Sequence, residues 1–132
     1  MTLRQRQDQF ISDMEFFDNW TDRFNYLISL AEELTATCPD YLNHHRIEGC
    51  KSNTCFLPRF HEKRLYVTGW SNSAVMGGLI VAMTTIFNFT SRGEFHNTAI
   101  DFHIKSGLID NLTPMRRESI EEMLRRISVL LK

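Results

Sequence analysis

The sequence predicts a mixed domain, several amphipathic helices around one small antiparallel β-hairpin, and three observations carry that expectation. Apolar residues recur at three- and four-residue spacing near the N-terminus and again beyond Thr113. Two short β-prone runs, Thr54 to Leu57 and Leu65 to Thr68, stand close together in mid-chain. Between that hairpin and the last helix, Ala74 to Phe89 is apolar around most of a helical circumference, as a central helix would be.

Taken in order, Leu3 to Phe17 has few helix breakers and places Phe10, Ile11, Met14 and Phe17 on one face. Asp18 or Asn19 can cap a second helix, with Trp20, Phe24, Leu27, Ala31 and Leu34 as its apolar stripe. It must end by Thr37, because Pro39 holds Cys38 in extended conformations. Asp40 to Arg46 is polar and aperiodic and reads as a loop leading into Ile47-Glu48-Gly49-Cys50. Pro58 to Arg64 joins the two β-runs, with Pro58 at a strand end or on an edge. Ser71 or Ser73 can cap the central helix. Ser91-Arg92-Gly93 breaks the pattern, and Asn97 to Ile109 reads as a short irregular or helical piece stopped near Gly107. Thr113 as cap and Pro114 at the first helical position open the last helix, with Ile120, Met123, Leu124, Ile127 and Leu131 on one face.

At 132 residues and 42% hydrophobic, the chain can bury one core without disulfides or a metal, so a single domain over residues 1–132 is expected. Fifteen basic against sixteen acidic side chains leave a formal charge of −1, which lacks the field a phosphate backbone demands and argues against nucleic acid as a partner. The polar start, Met1 to Gln9, has no apolar signal region, and the apolar stretch before Phe89 is short and interrupted by Gly77, Gly78, Thr84, Thr85 and Asn88. A cytoplasmic protein without a membrane span is expected. Three cysteines, Cys38, Cys50 and Cys55, are an odd number that favours reduced thiols over a disulfide framework.

The chemistry concentrates in His44-His45-Arg46-Ile47-Glu48-Gly49-Cys50-Lys51-Ser52, which puts a thiol after a glycine among cationic or potentially cationic neighbours. Nearby positive charge favours the thiolate, which is the nucleophile, while Glu48 opposes it. Gly49 permits a tight turn and close approach of another chain to the sulfur. On residue types alone Cys50 is either such a nucleophile or a small buried hydrophobe. Cys55 lies in an apolar run beside Phe56 and Leu57 and reads as core, and Cys38 as packing at a helix end. A zinc set from Cys50, Cys55, His44 and His45 lacks the C-x-x-C spacing and a second pair. His61, His96 and His103 are scattered, leaving a Cys-His hydrolase without a visible base or oxyanion site. Arg116 and Arg117 open the last helix against its dipole, which suits either solvated charge or contact with a partner.

Ile47-Glu48-Gly49-Cys50-Lys51-Ser52 resembles the I-x-G-C-x-S segment of the SufE/CsdE cysteine desulfuration family. Asn19-Trp20 with Tyr26-Leu27-Ile28-Ser29-Leu30 is similar to the family's second helix. Gly69, Ser71 and Gly78-Leu79-Ile80 resemble its passage from hairpin to long helix, and Leu112-Thr113-Pro114-Met115-Arg116 its L-T/S-P-x-R start of the last helix. The ordered set spans about Asp18 to Leu124. The resemblance implies an α+β domain related to the IscU-like scaffold fold. It implies that Cys50 accepts persulfide sulfur from a SufS/CsdA-type cysteine desulfurase, stimulating that enzyme, and hands it to an Fe-S cluster assembly scaffold. Pyridoxal phosphate would belong to the desulfurase, so no cofactor is expected on this chain, which would be a monomer or weak dimer. Gly49, Lys51, Ser52, His45 and Arg116 are the expected supporting or partner-contact residues. The alternative is an IscU-like scaffold holding metal or an Fe-S cluster. Departures from the family pattern are Asn72-Ser73 in place of Asp-Ala, Gly77 for a common Lys, Cys55 for a frequent Trp, and Arg116-Arg117-Glu118-Ser119 in place of R-x-N/Q-G.

Overall fold

The computed structural model describes residues 1–48 and 53–132, and these form an α+β domain. Helix α1 (Leu3–Glu15) is capped by Thr2, whose side chain accepts from the Gln5 amide while Gln5 reaches back to the Thr2 amide. Asn19, not Asp18, caps α2 (Trp20–Leu30), accepting from the Asp22 amide. The α-helix stops at Leu30, and the expected continuation tightens into a 3-10 turn at Ala31–Glu33. A second such turn, Asp40–Leu42, precedes the hairpin.

The strands are longer than the β-prone runs. Strand β1 (Thr54–His61) and β2 (Arg64–Ser71) pair antiparallel with Thr54 opposite Ser71 and His61 opposite Arg64. Residues 58–61, expected as linker, are therefore strand, and only Glu62 and Lys63, with φ of 50° and 66°, make the turn. Pro58 is tolerated because its missing donor falls on the outer side of β1. The Phe56 amide, two residues earlier and so on the same side, points away from β2 to the His45 carbonyl.

Helix α3 (Ala74–Phe87) starts at Ser73, which accepts from the Met76 amide. It is buried from Met76 to Met83 and again at Ile86 and Phe87, and it packs against β2 on one side and α1 and α2 on the other. Such enclosure explains its apolar circumference. Gly78 is the point of closest approach to α2: a Cβ there would lie 1.8 Å from the Leu27 carbonyl oxygen. Ser91-Arg92-Gly93, expected as a break, instead opens α4 (Arg92–Asn97), because Ser91 accepts from the Glu94 amide. A short α5 (Phe102–Lys105) follows, and Gly107 at φ 79° ends that region as expected. Helix α6 (Pro114–Leu130) has Thr113 as cap and buries Ile120, Met123 and Ile127. It lies along β1.

The N-terminal helix is stitched on by buried polar groups as well as by packing. The Gln7 side chain donates to the Ala99 carbonyl (2.9 Å) and accepts from the Asp101 and Phe102 amides (2.8 and 3.1 Å), which leaves its buried amide satisfied. Phe102 meets Phe10 and Phe87 edge-on, with centroids 5.6 and 5.9 Å away. Beside them Arg4 grips both Asp101 carboxylate oxygens (3.1 and 2.7 Å). Those bonds, chiefly, and Lys105 hold the Asp101 carboxyl below the ordinary carboxylate value.

Two outcomes follow from this packing. Gly78→Ala should lower stability in urea by on the order of 3 kcal/mol or leave the protein insoluble. Gly93→Ala, with nothing within 4 Å of the added methyl, should be neutral or raise it by at most about 1 kcal/mol. A fully stable Gly78→Ala protein would refute the close approach. Because the folded Asp101 pKa is depressed, its contribution is complete above the unfolded value of about 4 and is lost as pH falls through the folded value. The stability gap between wild type and Asp101→Asn should therefore be widest near neutrality and shrink below pH about 4. A gap independent of pH would show that the Arg4 pair does not form.

Candidate functional site

Gly49, Cys50, Lys51 and Ser52 lie outside the described residues, so the site is built from the two pieces of chain that lead into and out of them. On the incoming side, the Ile47 amide donates to the Thr54 carbonyl (2.8 Å), and the Phe56 amide donates to the His45 carbonyl (2.9 Å). These bonds form an antiparallel bridge between Arg46 and Cys55, so a short third ladder extends β1 on its outer edge. Ile47 is 4% exposed and sits in the main core. The side chain acts as an apolar anchor immediately before the cysteine segment.

On the outgoing side, Asn53 and Asn72 bind each other twice. The Asn53 amide donates to the Asn72 side-chain oxygen (2.9 Å), and the Asn72 amide donates to the Asn53 carbonyl (3.1 Å). Next to them the Thr54 and Ser71 hydroxyls are 2.8 Å apart and buried. Asn72, where the family pattern usually has Asp, is thus placed to fasten the end of the cysteine segment to the start of α3.

Arg126 closes the base. From α6 its guanidinium donates to the His45 carbonyl (3.0 Å), the Phe56 carbonyl (2.9 Å) and the Arg46 carbonyl (2.7 Å). Its Nε is 3.1 Å from Glu122, which Arg125 also engages. The planar fork reaches carbonyls on both pieces of chain at once, which a point charge could not do. Charge-assisted bonds of this kind are about twice as strong as neutral ones. Sequence reasoning missed Arg126. The available signal was its i,i+4 spacing from Glu122 on a helix whose neighbouring residues, Met123 and Ile127, are core.

The other expected residues are distributed unevenly. His45 is half-buried and contributes its backbone carbonyl to the base, and His44 and Arg46 are exposed. Together with Phe56, Pro58 and Arg126, the two histidines border an open hollow beside the base. Arg116 lies in the first turn of α6, ten residues from Arg126, a rise of roughly 15 Å along the helix. It is not among the groups joined at the base. Its neighbour Arg117 has a buried Nε with no hydrogen-bond partner among the described residues. Cys55 is fully buried, as the core reading expects, and burial pushes its thiol up to about 11 in spite of Arg46 and Arg126 nearby. Among the described residues no group of three or more His, Cys, Asp or Glu is placed to hold a metal ion, and no helix is long and apolar enough to cross a membrane.

Comparison with known proteins finds matches over nearly the whole chain. Residues 8–130 match the SufE family model, described as an Fe-S metabolism associated domain. A SufE-like protein of Rhizobium meliloti (strain 1021) is 29% identical over 127 residues, covering 91% of this chain and 90% of the relative. A SufE-like protein of Rhizobium etli is 25% identical over 126 residues, covering 91% and 85%. The match begins inside α1 and runs to the end of α6, taking in both pieces of the base and the helix that clasps them. This chain therefore belongs to the SufE family of Fe-S metabolism associated domains.

Proposed function

We propose that this chain is a sulfur carrier that accepts persulfide sulfur on Cys50 from a SufS/CsdA-type cysteine desulfurase and delivers it to an Fe-S cluster assembly scaffold. The observation that carries the reading is the SufE family match over residues 8–130, which includes Cys50 in its I-x-G-C-x-S setting. The described structure supports it by fastening both flanks of a short cysteine-bearing segment to the core.

In the proposed transfer, the Cys50 thiolate attacks the terminal sulfur of the desulfurase's cysteine persulfide. A new S–S bond forms at Cys50, the desulfurase's S–S bond breaks, and its electron pair leaves on the desulfurase cysteine as thiolate. No net oxidant is needed. The pyridoxal phosphate that generates the persulfide belongs to the desulfurase. Gly49 would allow the partner's backbone to approach the sulfur, and Lys51, Ser52, His45 and Arg116 would be supporting or partner-contact residues. Cationic or potentially cationic neighbours in the sequence, His44, His45, Arg46 and Lys51, would raise the thiolate fraction and so the exchange rate. Cys55, buried and held protonated, is unsuited to the role.

Intact mass after incubation with a desulfurase and cysteine tests the reading. Wild type should gain sulfur that reductant removes, and Cys50→Ser should not; absence of transfer from every SufS-type partner tried would end the proposal. Presentation of Cys50 on a fixed base predicts a second result. Arg126→Lys keeps the charge but loses most of the three-carbonyl clasp, so it should cost about 2 kcal/mol of stability. It should also speed amide exchange at Ile47 and Phe56 and slow Cys50 loading by roughly tenfold, about 1.4 kcal/mol in barrier. Unchanged loading alongside faster exchange would separate the base from the chemistry.

A further inference from the structure

The Cys38 and Cys55 sulfurs are 4.0 Å apart, although the two residues come from different parts of the fold. Cys55 is on β1, opposite Trp70. Cys38 is in the connection between the 3-10 turns at Ala31–Glu33 and Asp40–Leu42, which Trp70 tethers by donating from Nε1 to the Thr35 carbonyl (2.9 Å). The thiols share a small apolar cluster with Leu42, Trp70, Leu34 and Leu57, set apart from the main core. Neither has a part in the proposed sulfur transfer.

We infer that Cys38 and Cys55 are a reversible dithiol–disulfide site, oxidised by low-molecular-weight disulfides, whose closure cross-links the 3-10 connection to the base that carries Cys50. A disulfide requires about 2 Å between sulfurs, so the pair must close by roughly another 2 Å. The cysteines differ in access in a way that orders the steps. Cys38 is partly exposed, whereas Cys55 is fully buried with its thiol pushed up to about 11. The Cys38 thiolate therefore attacks the small disulfide first, forming a mixed disulfide and releasing one small thiol. Cys55 then gives up its proton and attacks the Cys38 sulfur, forming the Cys38–Cys55 bond and releasing the second small thiol. Two protein thiols are oxidised and one small disulfide is reduced to two thiols. The resulting ring runs from residue 38 to residue 55 and contains Cys50, and Trp70 lies against its closing bond.

The test uses full-length Cys50→Ser protein, in which the proposed sulfur acceptor is absent, so its result stands apart from whether Cys50 carries sulfur. The folded protein is incubated with oxidised glutathione, blocked with an alkylating reagent under denaturing conditions, and mapped by peptide mass. Most of it should carry a peptide joining Cys38 to Cys55, with neither residue alkylated. Tryptophan emission should fall by the Trp70 share, Trp20 packing instead against the main core, and recover with dithiothreitol, because an adjacent disulfide quenches indole fluorescence. Cys38→Ser in the same background should form no cross-link. Glutathione remaining on Cys38 with Cys55 alkylated, or both residues alkylated after native oxidation, would overturn the inference.

Discussion

Three backbone carbonyls, those of His45, Arg46 and Phe56, converge on one guanidinium, and the architecture around the cysteine segment depends on that convergence. A two-stranded sheet has two open edges, and carbonyls left without donors on a covered edge are costly. Here the outer edge of β1 takes the Arg46 segment as a partial third strand, and Arg126 supplies donors just where that ladder runs out. Because Arg126 projects from α6, the same bonds fix the last helix along β1. Glu122 holds the guanidinium in orientation from one helical turn away.

The opposite side of the sheet is set by α3. Burial on nearly all sides commits it to apolar residues, and the contact of Gly78 with the Leu27 carbonyl lets α2 approach closely enough to cover it. Ser71, the last residue of β2, and Asn72, between β2 and α3, hold Thr54 and Asn53, so the outgoing flank of the cysteine segment is tied to the start of the central helix. The incoming flank is tied to α6. The described flanks of the Cys50 segment are thus secured to different layers of the domain.

Much of this was legible in the sequence because it follows from local rules. Thr113-Pro114, Asn19 and Ser73 act as helix starts as their chemistry predicts, and the apolar run from Val75 to Phe87 is the central helix. The strand length was not legible, since Pro58 reads as a stop unless one knows that its missing donor faces away from β2, beyond the short ladder with the Arg46 segment. Ser91-Arg92-Gly93 read as a break because Gly93 masks a good serine cap. The family pattern pointed to Cys50 and its neighbours, whereas the clasp was hidden. Nothing local tells an arginine on a helix that it will meet carbonyls some seventy and eighty residues earlier. The proximity of Cys38 to Cys55 is likewise a product of tertiary packing.

The measurement that bears most directly on this account is a single-turnover transfer. A SufS-type desulfurase preloaded with radiolabelled persulfide, freed of cysteine, is mixed with an equal amount of this chain, and the label is located by peptide mapping without reductant. The label should leave the desulfurase and appear on the peptide containing Cys50, and Cys50→Ala should leave it on the enzyme. Label found on Cys38 or Cys55, or transferred equally well to the Cys50→Ala protein, would contradict the account.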